Sequence, residues 1–388
     1  MEARMTRAAV LHGAQDLRIE NLNLEPPNPL ELQVSVRATG LCGSDLHYHR
    51  HYRNGDILVQ EPLVLGHESA GVVVAVGSDV PTTGDGGFSV GDRVALEVGL
   101  PCGACDRCQE GRYNICKGMK FRSSAKAFPH AQGTLQGRIN HPAAWCHKLP
   151  DNMSLDLGAI LEPLSVAIQA SRRAQLPKDS TVLVFGAGAV GLLTAAMAKI
   201  SGAKTVVIAD IDPGRVDFAF HNEFAHKAFV VPRRKGEKTI EEKLETAKTV
   251  AASIGRLKQT TGELVGEVDA TFECTGTEAC LQASIYATRP GGKVLLIGMG
   301  TPIQTIPISA AATREVDLVG VFRYAHTYPR GIEMVASADP RMPRFEKLVT
   351  HRFRGLDRVE DAFRVAGRTS DTDGNLVIKV VVEMDEGG

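Results

Sequence analysis

The sequence predicts an α/β protein in which a β-rich domain is interrupted by a doubly wound parallel-sheet domain. Three observations carry this. Short β-branched segments broken by Gly and Pro run from Arg7 to about Leu149, strands alternate with helical patterns after about Glu162, and the last strand-like segment does not continue that alternation. The length of 388 residues suggests two or three domains. Hydrophobic residues at 43% supply a core, and 44 Lys+Arg against 45 Asp+Glu leave a formal charge of -1. No global field then draws the chain to nucleic acid, membranes or polyanions, so any specificity must be local.

In order along the chain, Met-Glu-Ala-Arg-Met-Thr-Arg leads into no apolar core or cleavage site, and a cytoplasmic location is expected. Strands are expected at 8–11, 31–37, 71–76 and 92–96, with exposed loops at 81–87 and 121–137. The window 181–198 is uncharged and long enough to span a membrane, but Gly186, Gly188 and Gly191 interrupt it. Strands at 182–185, 205–210, 228–231, 268–273, 293–297 and 317–321 fit one doubly wound sheet. Between the third and fourth of these, Leu244, Ala247, Ala251, Ile254 and Leu257 recur at helical spacing. A helix from about Pro329 and a strand at 376–382 are expected to rejoin the first domain, giving one domain of 1–163 and 326–388 around an inserted 164–325.

Gly186-Ala-Gly188-Ala189-Val190-Gly191 stands directly after a strand and before a helix. The first glycine allows the tight turn, the second lets a pyrophosphate approach the backbone, and the third permits close strand–helix packing. The helix N-terminus adds unpaired N–H groups for the anion. Asp210 ends the next strand, where a carboxylate accepts both ribose hydroxyls and repels a 2′-phosphate, so NAD is expected over NADP; Arg215 is the nearby cation that softens this preference. The alternative is glycines that only tighten a βα turn, and strand, helix and acid standing together in register weigh against it.

Cys102, Cys105, Cys108 and Cys116 pack four thiolates into one short stretch, with Gly103 and Gly111 giving the chain freedom to wrap. In a cytosolic chain this clustering points to a metal rather than disulfides. A structural Zn²⁺ with no open position is expected, and an Fe–S cluster is the chemical competitor. Cys42, His67-Glu68 and Glu162 are scattered, and spacing alone does not join them.

Taken together, Gly40-Leu-Cys-Gly-Ser-Asp-Leu-His47, Gly66-His-Glu-Ser-Ala-Gly71, Gly91-Asp-Arg-Val94, the four cysteines, the glycine turn and Glu273-Cys-Thr-Gly276 resemble the zinc-dependent medium-chain dehydrogenases. Leu161-Glu-Pro-Leu-Ser-Val166, Val321-Phe-Arg-Tyr324 and Leu348-Val-Thr-His-Arg-Phe353 resemble the polyol branch: sorbitol, xylitol and L-arabinitol dehydrogenases. The resemblance implies a GroES-like catalytic domain around an inserted Rossmann domain, two zinc ions per chain, NAD, and a homotetramer. It implies hydride transfer between NAD and a polyol or secondary alcohol, the alternative being an NADPH-dependent biosynthetic carbonyl reductase on the same scaffold.

By the same resemblance, Cys42, His67 and one or both of Glu68 and Glu162 form the catalytic zinc shell, Glu162 also being catalytic. Ser44 and His47 form a proton relay. Cys274, Thr275, Ile297, Gly298, Val321, Phe322 and Arg323 join the glycine turn, Asp210 and Arg215 around the dinucleotide. Tyr48, Phe121, Arg323 and Tyr324 line the substrate cleft. Departures from the branch pattern at His326 and Tyr328 are expected to change the polarity and size of that cleft, and the 121–137 loop looks longer than the family's.

Overall fold

A computed structural model describes every residue except 1–3, 85, 234–235, 237–238, 260, 338, 340–341 and 386–388; Asp85 of the expected 81–87 loop thus lies outside the described residues. The chain forms two compact units, one of Met1–Glu162, Ala325–Ala338 and Phe345–Gly388, the other of Pro163–Tyr324 and Asp339–Arg344.

In the first unit a seven-stranded sheet runs Cys146–Lys148, Arg93–Leu96, Glu68–Val76, Glu31–Gly40, Lys379–Glu383 and Val349–Arg354, with Arg138–Pro142 also pairing with Glu31–Gly40. Its alternating apolar residues bury Val34, Val36, Val73, Val94, Leu96, Val380 and Val382 in one core. Register then does something the sequence does not announce. Gly40 stands opposite Glu68 on one side and Val381 on the other, so two segments more than 300 residues apart meet across a single residue. A Cβ on Gly40 would overlap the Glu68 carboxylate, which fixes glycine there. A strand absent from the sequence reading, Asp16–Leu24, pairs with Arg4–Gly13.

In the second unit six parallel strands lie in the order Lys227–Val230, Thr205–Asp210, Thr181–Phe185, Val268–Glu273, Thr288–Leu296 and Asp317–Gly320. The sheet changes direction at Thr181–Phe185, whose neighbours are the second and fourth strands in sequence, and ligands of such sheets bind at that switch point. The charged insertion contains the helix Ile240–Gly255, started by a Thr239/Glu242 capping box and burying Ala247, Val250, Ala251 and Ile254. The uncharged window divides into the strand Thr181–Phe185 and the helix Ala189–Ile200. No helix among the described residues is long and apolar enough to cross a membrane.

Candidate active site

Helix Gly43–His51 begins at Cys42. Asp45, in its first turn and fully buried, accepts the Cys42 N–H at 3.1 Å on Oδ2, while Oδ1 accepts the Gly66 N–H at 3.1 Å and the Ser123 hydroxyl at 2.7 Å. His67 Nδ1 lies 3.3 Å from the same Oδ1. One carboxylate therefore ties together the segments that carry Cys42 and His67. The ligand atoms of Cys42, His67 and Glu68 all fall within 4.8 Å of one another, a thiolate, an imidazole and a carboxylate suited to a divalent transition metal.

Burial opposes charge on His67, but Asp45 and the Cys42 thiol outweigh it and hold its proton well above the ordinary imidazole range. A metal entering here must displace that proton. Burial likewise opposes charge on Asp45, yet His67, the Ser123 hydroxyl and the Cys42 N–H keep its carboxyl below the usual value. Both Glu68 oxygens accept from the buried Lys379 ammonium, at 2.8 and 2.7 Å. Burial alone would lower the Lys379 pKa; Glu68, Cys42 and Glu162 raise it instead. Glu162 is buried near this pair but outside the mutual 4.8 Å set.

Ser44 and His47 lie one turn apart on the helix, with the His47 ring exposed. Partial desolvation, then His51 and Arg50, lower its pKa. The Phe121 ring sits 5.7 Å from that of His67. Tyr48, expected to line the substrate cleft, is 2% exposed and its hydroxyl accepts the Ala125 N–H at 3.2 Å. The 121–137 loop lies over it, pinned by Arg122, which donates to His141, Gln132 and Asn140, and by His130 against Gln60 and Ala127.

His326 and Tyr328, the expected departures near the cleft, have these contacts in the first unit. The His326 N–H donates to the Tyr113 hydroxyl at 2.7 Å and its ring meets Tyr113 edge-on at 4.8 Å, beside the four-cysteine lobe. Tyr328 is fully buried, stacked on His147 at 4.9 Å and donating to the Leu96 carbonyl at 2.9 Å.

The sulfurs of Cys102, Cys105, Cys108 and Cys116 approach one another at 3.5 to 3.9 Å. A tetrahedron with sulfurs about 2.3 Å from its centre has edges of about 3.8 Å, so these residues fit one four-coordinate ion and leave no room for a multi-iron cluster. Gly103 and Gly111 take positive φ at the bends.

In the second unit Gly186 adopts φ 98°, and a Cβ on Gly191 would overlap the Gly186 carbonyl. Among the described residues only Arg215, at 3.8 Å, comes within 4 Å of a Cβ placed on Gly188, the N-cap of Ala189–Ile200, a cradle a phosphate can enter. Asp210 accepts the Ala187 N–H at 2.6 Å and the Asp212 N–H at 3.0 Å, fixing the turn. Cys274 and Thr275 follow the fourth strand of the sheet, Ile297 and Gly298 the fifth, and Val321, Phe322, Arg323 and Tyr324 the sixth, all at its carboxyl edge. Arg323 has φ 48° and stacks over Phe322 at 4.8 Å; Tyr324 is buried. Glu273, which the sequence reading quotes only as part of a family motif, accepts the Thr275 and Gly276 N–H groups and shapes that edge.

Family models for the alcohol dehydrogenase GroES-like domain and for zinc-binding dehydrogenases match residues 28–151 and 189–337. A sorbitol dehydrogenase of Arabidopsis thaliana is 39% identical over 97% of this chain and 95% of its own length. The chain belongs to the zinc-binding alcohol dehydrogenase family. A second family member, the sorbitol dehydrogenase of Gallus gallus, is 40% identical over 93% of both chains. The crystal structure of an Escherichia coli L-idonate 5-dehydrogenase superposes on this dehydrogenase with a TM-score of 0.81 at 25% identity, over 98% of this chain and 99% of the other.

Proposed function

We propose that the protein is a zinc-dependent polyol dehydrogenase that uses NAD. The observation supporting this most directly is the convergence of Cys42, His67 and Glu68, unjoined by sequence spacing, into one metal-binding set. Bound there, zinc would supply a Lewis acid that lowers the pKa of a substrate hydroxyl. The reaction class removes hydride from the carbinol carbon and a proton from its oxygen, leaving a ketose. Cys42, His67 and Glu68 hold the metal, and the buried Glu162 beside them adds negative charge suited to a hard, hydroxylated ligand. Ser44 and His47 carry the proton out; the lowered pKa of His47 keeps its ring neutral and able to accept. Phe121 forms an apolar wall, and Arg323 and Tyr324 satisfy the remaining hydroxyls, which would each cost about 1–3 kcal/mol if buried unpaired.

The dinucleotide lies on Gly186, Gly188 and Gly191, with Asp210 disfavouring a 2′-phosphate. Exposed Met299, Ile303 and Ile308, between the strands Thr288–Leu296 and Asp317–Gly320, support a homo-oligomer formed through the second unit. The test is formation of reduced dinucleotide from sorbitol, xylitol and L-arabinitol, abolished by a chelator and by His67→Ala. Absence of turnover across a broad polyol panel, with two zinc ions bound per chain, would refute the assignment. Tighter binding of NADP than NAD would overturn the role of Asp210, and a monomer in light scattering the oligomer.

A further inference from the structure

Lys379 opens the last strand of the first unit, and 4% of it is exposed. Its ammonium has three donors and three acceptors: Glu68 Oε1 at 2.8 Å, Glu68 Oε2 at 2.7 Å and the Leu41 carbonyl at 3.0 Å. Near-equal distances to the two carboxylate oxygens put Nζ on the bisector of the carboxylate, in the mouth where a metal would chelate both oxygens. Each oxygen then keeps only its outer lone pair, and because the two outer pairs point apart, a single metal can meet one oxygen and not both. Gly40 closes the space beneath, since a Cβ there would overlap Glu68 Oε2, so the carboxylate is held from two directions.

We propose that Lys379 is a positioning residue for the metal centre: by filling the chelating mouth of Glu68 it limits that carboxylate to one metal bond and preserves a coordination position for the substrate hydroxyl. This rests on the reading that Cys42, His67 and Glu68 hold the metal. One sulfur, one nitrogen and two carboxylate oxygens would complete a tetrahedron with protein atoms alone, whereas a catalytic zinc keeps three protein ligands and an open fourth place. The cation that prevents closure comes from the carboxyl-terminal strand, which contributes no metal ligand of its own.

The test uses the full chain loaded with cobalt(II), whose visible absorption is strong when four-coordinate and weak at higher coordination. The spectrum of His67→Ala, which leaves the four-cysteine site intact, is subtracted. Wild type should show a four-coordinate band that shifts when imidazole is added. Lys379→Met should show a band that no longer responds to imidazole and a kcat/KM at least about tenfold lower, with dinucleotide affinity unchanged. Lys379→Arg should restore the response, because a guanidinium fork spans both carboxylate oxygens. A normal imidazole response in Lys379→Met, or its loss in a folded Lys379→Arg, overturns the proposal. If Lys379→Met does not fold, Lys379→Gln and Lys379→Arg decide the matter by the same two criteria. Coincident spectra of wild type and His67→Ala would instead refute the metal reading beneath it.

Discussion

Asp45→Asn tests whether one buried carboxylate organises the metal-binding set. Asp45 is inaccessible to solvent and receives three donors, the Cys42 N–H, the Gly66 N–H and the Ser123 hydroxyl, with His67 Nδ1 3.3 Å away. An amide of the same shape keeps one acceptor oxygen and turns a second N–H group toward a donor. If the oxygen stays on Gly66 and Ser123, the amide nitrogen faces the Cys42 N–H and that charge-assisted bond, worth about 1.5–3 kcal/mol, is lost. The two remaining bonds weaken because their acceptor is no longer charged. A total loss of about 3 kcal/mol of stability follows, read as a lower denaturant midpoint with unchanged slope. His67 also loses the carboxylate that orients it, and such losses lower metal affinity about 10–100-fold. Competition with a chelator of known affinity measures that change at the His67 site, against the four-cysteine site as internal control. Unchanged affinity there, together with an unchanged midpoint, would show that Asp45 does not organise the centre.

Gly40→Ala should push Glu68 off Lys379, and breaking a buried pair costs about 3–5 kcal/mol; thermal unfolding with and without zinc checks it, and a wild-type transition would argue against the close contact. Burial and the Arg122 charge hold the His141 pKa well below 6.5, so the unfolded chain takes a proton that the folded chain refuses. Stability from this site is present above about pH 6.5 and is lost as pH falls below it, by up to about 1.4 kcal/mol per unit; His141→Gln should flatten that slope in denaturant titrations at several pH values. The Ala104 and Cys105 backbone N–H groups hold the Cys102 thiol down at about 6, so in zinc-free protein iodoacetamide should modify Cys102 ahead of Cys108, which desolvation pushes up to about 12. Zinc should protect both, as mass spectrometry of digested protein would report.

Local chemistry made some features legible before any coordinates. Glycines at fixed offsets after an apolar run, and four thiols in one short segment, specify a turn and a closed metal site because every atom needed lies within a few residues. Alternation of strand and helix patterns announced the six-stranded sheet for the same reason, and its six strands stand where the apolar runs place them. The strand Asp16–Leu24 escaped because its residues are mostly polar and half exposed, so no buried face marked it.

What only the tertiary structure decided is who meets whom across the first unit's sheet. Asp45 reads in sequence as an ordinary first-turn acid, and Lys379 as one lysine near the end of the chain. Strand register sets the Lys379 strand beside Gly40 and Gly40 opposite Glu68, while packing of the 121–137 loop delivers Ser123 to Asp45. Likewise His326 and Tyr328 acquire their roles from the lobe and from His147, partners about 180 residues or more away. Sequence carries the chemistry of each side chain; the long-range pairing of strands, fixed by burial of one face, selects which of those chemistries act together.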